Sequence, residues 1–177
     1  MLLTPTGVGL ATPKRRAMPD FAISPLAGSD RGWLTAFINE HWAGPFIVTR
    51  GAKHFPASLE GFAARRGDTI VGVVTYRFGP EGLEMVTLNS LDPGSGIGTA
   101  LVDAVRAIAR ARSVPVWLIT TNDNLNALRF YQKRGFTLRA LRPNALAVSR
   151  TLKPEIWTIG HDGIPLRDEI ELELAQP

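Results

Sequence analysis

Leu83-Glu84-Met85-Val86-Thr87-Leu88-Asn89-Ser90-Leu91-Asp92-Pro93-Gly94-Ser95-Gly96-Ile97-Gly98-Thr99 changes character twice within 17 residues. Residues 83–88 have the alternation and β-branched content of a strand. A glycine-rich loop follows, Asp92-Pro93-Gly94-Ser95-Gly96-Ile97-Gly98. From Ile97 the apolar residues recur at Leu101, Val102, Val105, Ile108 and Ala109, with Asp103, Arg106 and Arg110 on the other face. That period predicts an amphipathic helix.

Upstream, residues 61–66 and 69–78 read as strands separated by Gly67-Asp68, and Gly79-Pro80-Glu81-Gly82 turns the chain into 83–88. Three consecutive strands with such short connections predict an antiparallel meander. Downstream, Val114-Pro115-Val116-Trp117-Leu118-Ile119-Thr120 is nearly all apolar, as a strand covered on both faces is. A second helix is expected over 124–134, stopped by Gly135, and 136–141 and 169–174 supply two more strands. At the front, residues 21–26 read as a short strand. Ser29 or Asp30 then caps a helix bearing Trp33, Leu34, Phe37 and Ile38, which Gly44-Pro45 ends. Phe46-Ile47-Val48 suggests another short strand, while 143–165, rich in Pro and Gly, reads as a long connection. The expectation is an α/β domain over 20–177: a mixed sheet in which a meander feeds a strand–helix–strand crossover, flanked by helices.

Composition narrows the chemistry. The chain has 177 residues, enough for one domain, with 45% hydrophobic and 20% charged residues, so it can close a core. It has no cysteine, which excludes disulfides, thiolate nucleophiles and cysteine-ligated metals. His41, His54 and His161 match no metal-ligand spacing, so no metal is expected. No apolar run reaches the ~18–20 residues of a membrane span. Of the formal charge of +4, residues 1–19 carry +3 through Lys14, Arg15 and Arg16. This flexible basic tail lacks the order of a secretory signal, which points to the cytoplasm. It comes without an aromatic platform or readout helix, which argues against nucleic acid as partner.

The glycine loop bares consecutive N–H groups at a helix N-terminus, where the dipole favours an anion. A plain strand-to-helix turn is the competing reading. A Walker loop requires a lysine after the last glycine, and Gly98 is followed by Thr99-Ala100. A dinucleotide fingerprint requires the first turn of a parallel unit, and this loop follows a meander.

A second motif bears on the choice. Thr120-Thr121-Asn122-Asp123-Asn124-Leu125-Asn126-Ala127-Leu128-Arg129-Phe130-Tyr131-Gln132-Lys133-Arg134-Gly135-Phe136 resembles the end of the GNAT N-acetyltransferase domain, with its Asn, Ala, Phe-Tyr pair and Gly-Phe at this spacing. Pro93-Gly94-Ser95-Gly96-Ile97-Gly98 is similar to that family's other signature, Arg/Gln-x-x-Gly-x-Gly/Ala. The resemblance covers residues 21–174 and is strongest over 69–138.

The resemblance implies acetyl-CoA as donor and a primary amine of a small molecule or peptide as acceptor, joined by direct attack. It implies that the amides of Gly94, Ser95, Gly96, Ile97, Gly98 and Thr99 take the pyrophosphate. The pantetheine arm would pair with the strand ending at Leu88, and Asn124 would meet that arm. Tyr131 would stand near the thioester sulfur and protonate the leaving thiolate; a phenol with pKa near ~10 suits that task. Its competing reading is core packing. The family's leading Arg or Gln falls on Pro93, which offers no donor, so Ser95 is the local substitute. Glu84 matches a strand glutamate that deprotonates the amine through water in several members, and a solvated carboxylate is its competing reading. His41 and Glu40 are weaker bases, and His161 and Asp162 either reach the site or face water. Acceptor walls are expected from the first helix and residues 39–60. A non-catalytic CoA-binding regulatory module is the alternative function, and a homodimer is left open.

Overall fold

The computed structural model describes residues 20–174; the basic tail expected over 1–19 lies outside them. In chain order the strands are β1 (Ala22–Pro25), β2 (Ile47–Thr49), β3 (Ala52–His54), β4 (Glu60–Arg66), β5 (Thr69–Gly79), β6 (Gly82–Ser90), β7 (Val116–Thr121), β8 (Thr137–Arg142) and β9 (Glu169–Leu174). The helices are α1 (Arg31–His41), α2 (Ile97–Ala111), α3 (Leu125–Gln132) and α4 (Ala145–Leu152).

Seven strands form one sheet in the order β1-β4-β5-β6-β7-β9-β8. The expected meander is β4-β5-β6, and the crossover β6-α2-β7 makes the one parallel pairing of this sheet among the described residues. The β5–β6 turn is set by Gly82, at φ +111°, where an added Cβ would stand 2.5 Å from the Pro115 carbonyl. Glycine is therefore required twice over, by backbone conformation and by the close approach of the strand leading into β7.

Neighbouring residues of β5 point to opposite faces and so assign the helices. Val74 packs with Leu101, Val102 and Val105 of α2, whereas Val73 packs with Leu34, Phe37 and Ile38 of α1. The apolar stripe of α2 that the periodicity picks out is buried, each large side chain contributing ~1.5–3 kcal/mol.

Two features depart from the sequence reading. The 143–165 connection contains α4, whose stretch Ala-Leu-Ala-Val-Ser-Arg-Thr-Leu is too short to show a helical period unaided. Residues 47–54 form a separate two-stranded hairpin, β2–β3. Its corner lies against the acidic side of β9: the Arg50 N–H donates to the Glu169 carboxylate, its Nε lies 3.2 Å from Glu171 Oε1, and its guanidinium stands 5.2 Å from the Trp117 ring. Glu169 and Glu171 are each only 1% exposed.

Candidate functional site

β6 is paired with β7 for only part of its length. The parallel register runs from Leu83↔Val116 to Met85↔Leu118 and stops there, although both strands continue. The cause is visible on the other side of β6. Against β5, Thr87 faces Thr75 and Met85 faces Tyr76, so Val86 is an extra, unopposed residue. Such a bulge bends its strand and raises the local twist, here turning residues 86–90 away from β7.

Main-chain direction past the bulge follows from alternation. The Leu91 N–H donates to the Val71 carbonyl of β5 at 2.9 Å. Leu91 directly follows β6, and Leu88, three residues earlier in the continuous register Val74↔Leu88, Val73↔Asn89 and Gly72↔Ser90, therefore turns its N–H and C=O the other way, into the opening.

The opening is a small cleft of about 90 Å³. Residues 85–88 of β6 and 118–120 of β7 form its sides, Asn124, Ala127 and Tyr131 close it on the α3 side, and Trp42 closes it at the end of α1. Tyr131 belongs to the core on the α2 face and Trp42 packs on the α1 cluster across the sheet. The cleft thus runs through the sheet from one face to the other.

Each wall is fixed by ordinary local forces. Asn124 caps α3, its Oδ1 accepting from the Ala127 N–H at 3.0 Å, while its amide nitrogen has no partner among the described residues. Tyr131 is wedged edge-on between the Phe130 and Phe136 rings, and the hydrogen bonds it makes to described residues are main-chain ones. Burial pushes its phenol well above the ordinary tyrosine value, with the Arg134 guanidinium opposing in part. The phenol consequently keeps its proton across the neutral range. Trp42 is placed by Lys153, whose buried ammonium donates to the carbonyls of Trp42 and, at 2.6 Å, Phe46.

The glycine loop stands at the N-terminus of α2. Gly96 is its N-cap residue at φ +90°, no side chain caps the helix, and Ala100 N–H makes the first bond of the helix, to Gly96 O. The amides of Ile97, Gly98 and Thr99 therefore lack capping partners. Where a Cβ would stand on Gly94 or Gly96 there is nothing within 4 Å, so the approach to these amides is open. Gly98 is pressed on the Phe130 ring, which joins this helix end to α3. Ser95 is committed inside the loop, its hydroxyl donating to Asp92 O at 2.6 Å. The contact that Pro93 lacks is thus not supplied by that hydroxyl.

Glu84 lies outside the lining. Leu83 and Met85 face the α2 core, so alternation puts Glu84 on the α1 side, where its Oε2 accepts from Arg77 Nε at 2.6 Å and the residue is 3% exposed. Nearby His54 is buried and paired with the Thr49 hydroxyl at 2.9 Å. Burial holds its imidazole below the ordinary histidine value, against the pull of Glu84. His41 and Glu40 are exposed, with the His41 ring stacked on Phe37. His161 is exposed too and reaches the cleft region only through its N–H, which Asp123 Oδ2 accepts at 2.9 Å. Lys153 and the Asp123 clasp on residues 160–161 are the parts that sequence reading misses. A single lysine before a proline, and an aspartate among asparagines, carry no local signal of their partners.

Among the described residues no three His, Asp or Glu side chains are grouped to hold a metal ion, and no helix is long and apolar enough to cross a membrane.

Comparison with known proteins agrees with this fold. The profile of the Acetyltransferase (GNAT) family matches residues 29–136. The uncharacterized protein YxbD of Bacillus subtilis (strain 168) is 38% identical over 152 residues, covering 85% of this chain and 96% of its own. The uncharacterized protein YdhI of the same organism is 42% identical over 139 residues, covering 77% and 87%. The structure of a GNAT family acetyltransferase from Elizabethkingia anophelis with acetyl-CoA bound superposes with a TM-score of 0.64 at 21% identity, over 90% of this chain and 100% of that one.

Proposed function

Because this chain belongs to the GNAT family of acetyltransferases, we propose that the cleft between β6 and β7 is where an acetyl group passes from acetyl-CoA to a primary amine. We take the acceptor to be a small molecule or a peptide, attacking directly, with Tyr131 as general acid. The observation that carries this reading is the bulge at Val86, which opens the sheet beside Tyr131 and leaves the Leu88 main chain without a strand partner on that side.

The residues present suit acetyl-CoA. The uncapped amides of Ile97, Gly98 and Thr99, with the open approach at Gly94 and Gly96, would hold its diphosphate, the Ser95 N–H being turned to Asp92 O at 3.4 Å within the loop. The Leu88 main chain and the Asn124 amide would hold its pantetheine arm. When bound, acetyl-CoA supplies the activated acetyl thioester. The protein's part is then positioning and proton traffic. The gap admits the amine from the α1 side, past Trp42. Tyr131 holds a proton at Oη that its burial keeps in place, and delivers it to the departing sulfur. Main-chain N–H groups along the open half of β6 stabilise negative charge as it develops on the carbonyl oxygen. Glu84, the one carboxylate of β6 and the neighbour of the lining residue Met85, is the base of this reading, taking the amine proton through water.

The test is a panel of primary amines and short peptides incubated with acetyl-CoA, reading free CoA. Amine-dependent release is expected. Binding of acetyl-CoA with no release for any amine, by protein that is folded, would make this a CoA-binding regulatory module instead.

A further inference from the structure

The loop and first turn of α2, residues 92–100, carry an acid, Asp92, and no lysine or arginine. Any cation that pairs with a diphosphate held by the amides there has to come from another part of the chain. Arg66 approaches, but its guanidinium is engaged by two carboxylates, 3.0 Å from Asp92 Oδ2 and 2.8 Å from Asp20 Oδ2.

Arg134, just past α3, stands differently. Its Nε donates to Thr99 Oγ1 at 3.1 Å, its Nη2 donates to the same oxygen, and its Nη1 donates to Phe130 O at 2.8 Å. The guanidinium carbon lies 3.5 Å from the centre of the Phe130 ring, and the residue is half-buried. No carboxylate pairs with it among the described residues.

The two edges of this guanidinium meet different fields. Nη1 faces a carbonyl at the negative end of α3. Nε and Nη2 face the positive, uncapped end of α2, where one hydroxyl oxygen is their acceptor. A cation beside bared helix N–H groups is unfavourable until an anion lies between them. The hydroxyl contributes as well: with its oxygen accepting from Arg134, the Thr99 O–H proton is free to donate outward.

We propose that Arg134 binds the diphosphate of acetyl-CoA at the first turn of α2, both directly and through the Thr99 hydroxyl. The proposal rests on the reading of the cleft as an acetyl-CoA site.

The test is titration calorimetry of the full chain with acetyl-CoA, 3′-dephospho-acetyl-CoA and S-acetyl-pantetheine, for the wild type, Arg134→Gln and Thr99→Val. Arg134→Gln is expected to weaken both diphosphate ligands at least tenfold, and equally, while S-acetyl-pantetheine changes less than twofold. Thr99→Val keeps shape and fold, and is expected to weaken the diphosphate ligands about threefold and spare S-acetyl-pantetheine. Equal losses for all three ligands would make Arg134 a packing residue and overturn the proposal. So would unchanged affinities, or a loss confined to acetyl-CoA, which would move Arg134 to the 3′-phosphate. A wild type that binds none of the three would instead refute the acetyl-CoA reading itself, and this proposal with it.

Discussion

The two ends of the cleft are built from different materials. On the α3 side, Asn124, Ala127 and Tyr131 come from one short helix and its cap, held by contacts between near neighbours in sequence. On the α1 side, Trp42 is held by Lys153, 111 residues further on, and the adjoining hairpin by Glu169, 119 residues beyond Arg50. The near wall is held locally; the far wall is held by charged groups from distant parts of the chain. In the proposed reading the difference matches the ligands that each wall would meet, acetyl-CoA at the near one and the acceptor at the far one. A shared donor asks for the same short constellation, whereas an acceptor wall is assembled from whichever segments the fold brings there.

Perturbing the near wall should therefore change chemistry or binding, and perturbing the far wall should change stability first. The largest effect is expected from Tyr131→Phe, which keeps the ring between Phe130 and Phe136 and removes the proton. Single-turnover acetyl transfer should fall ~10²–10⁴-fold with acetyl-CoA affinity unchanged. Full activity would return Tyr131 to a packing role.

On the far wall, Glu171→Ala leaves Arg50 and Arg142 without their shared buried carboxylate. Denaturant unfolding should show a loss of about 3 kcal/mol, the low end for a broken buried pair because both arginines keep access to water. Acetyl-CoA affinity of the folded protein should not change. A large affinity change without a stability change would erase the contrast between the walls.

A smaller effect is expected at the loop. Gly96→Val places a Cβ where the chain leaves open space, in the path of the phosphate, and strains a positive φ. Acetyl-CoA binding should weaken at least tenfold, about 1.4 kcal/mol. Unchanged affinity in a folded variant would remove the loop from the site.

The same contrast explains what the sequence discloses. The meander, α2 and the crossover into β7 follow from period and turn residues because each decision is local. Glu169-Ile170-Glu171-Leu172-Glu173-Leu174 shows by alternation that β9 has an acidic side, yet nothing local says that this side is covered. Burial of Glu169 and Glu171 depends on Arg50 and Arg142, contributed by segments far away in sequence. Glu84 illustrates the limit from the other side. Its place on β6 is legible, but its pairing with Arg77 on the α1 face depends on the register of β5 against β6. The bulge at Val86 leaves no mark in a run of alternating residues, though it is the feature that opens the sheet.

Amide exchange at Leu88 tests that opening most directly. Alternation turns the Leu88 N–H into the cleft and the adjacent Asn89 N–H toward Val73 of β5. If the open half of β6 receives acetyl-CoA as an added strand, saturating acetyl-CoA should slow exchange at Leu88 at least tenfold and leave Asn89 as it was. Unaltered exchange at Leu88 in a complex shown to have formed would contradict the account.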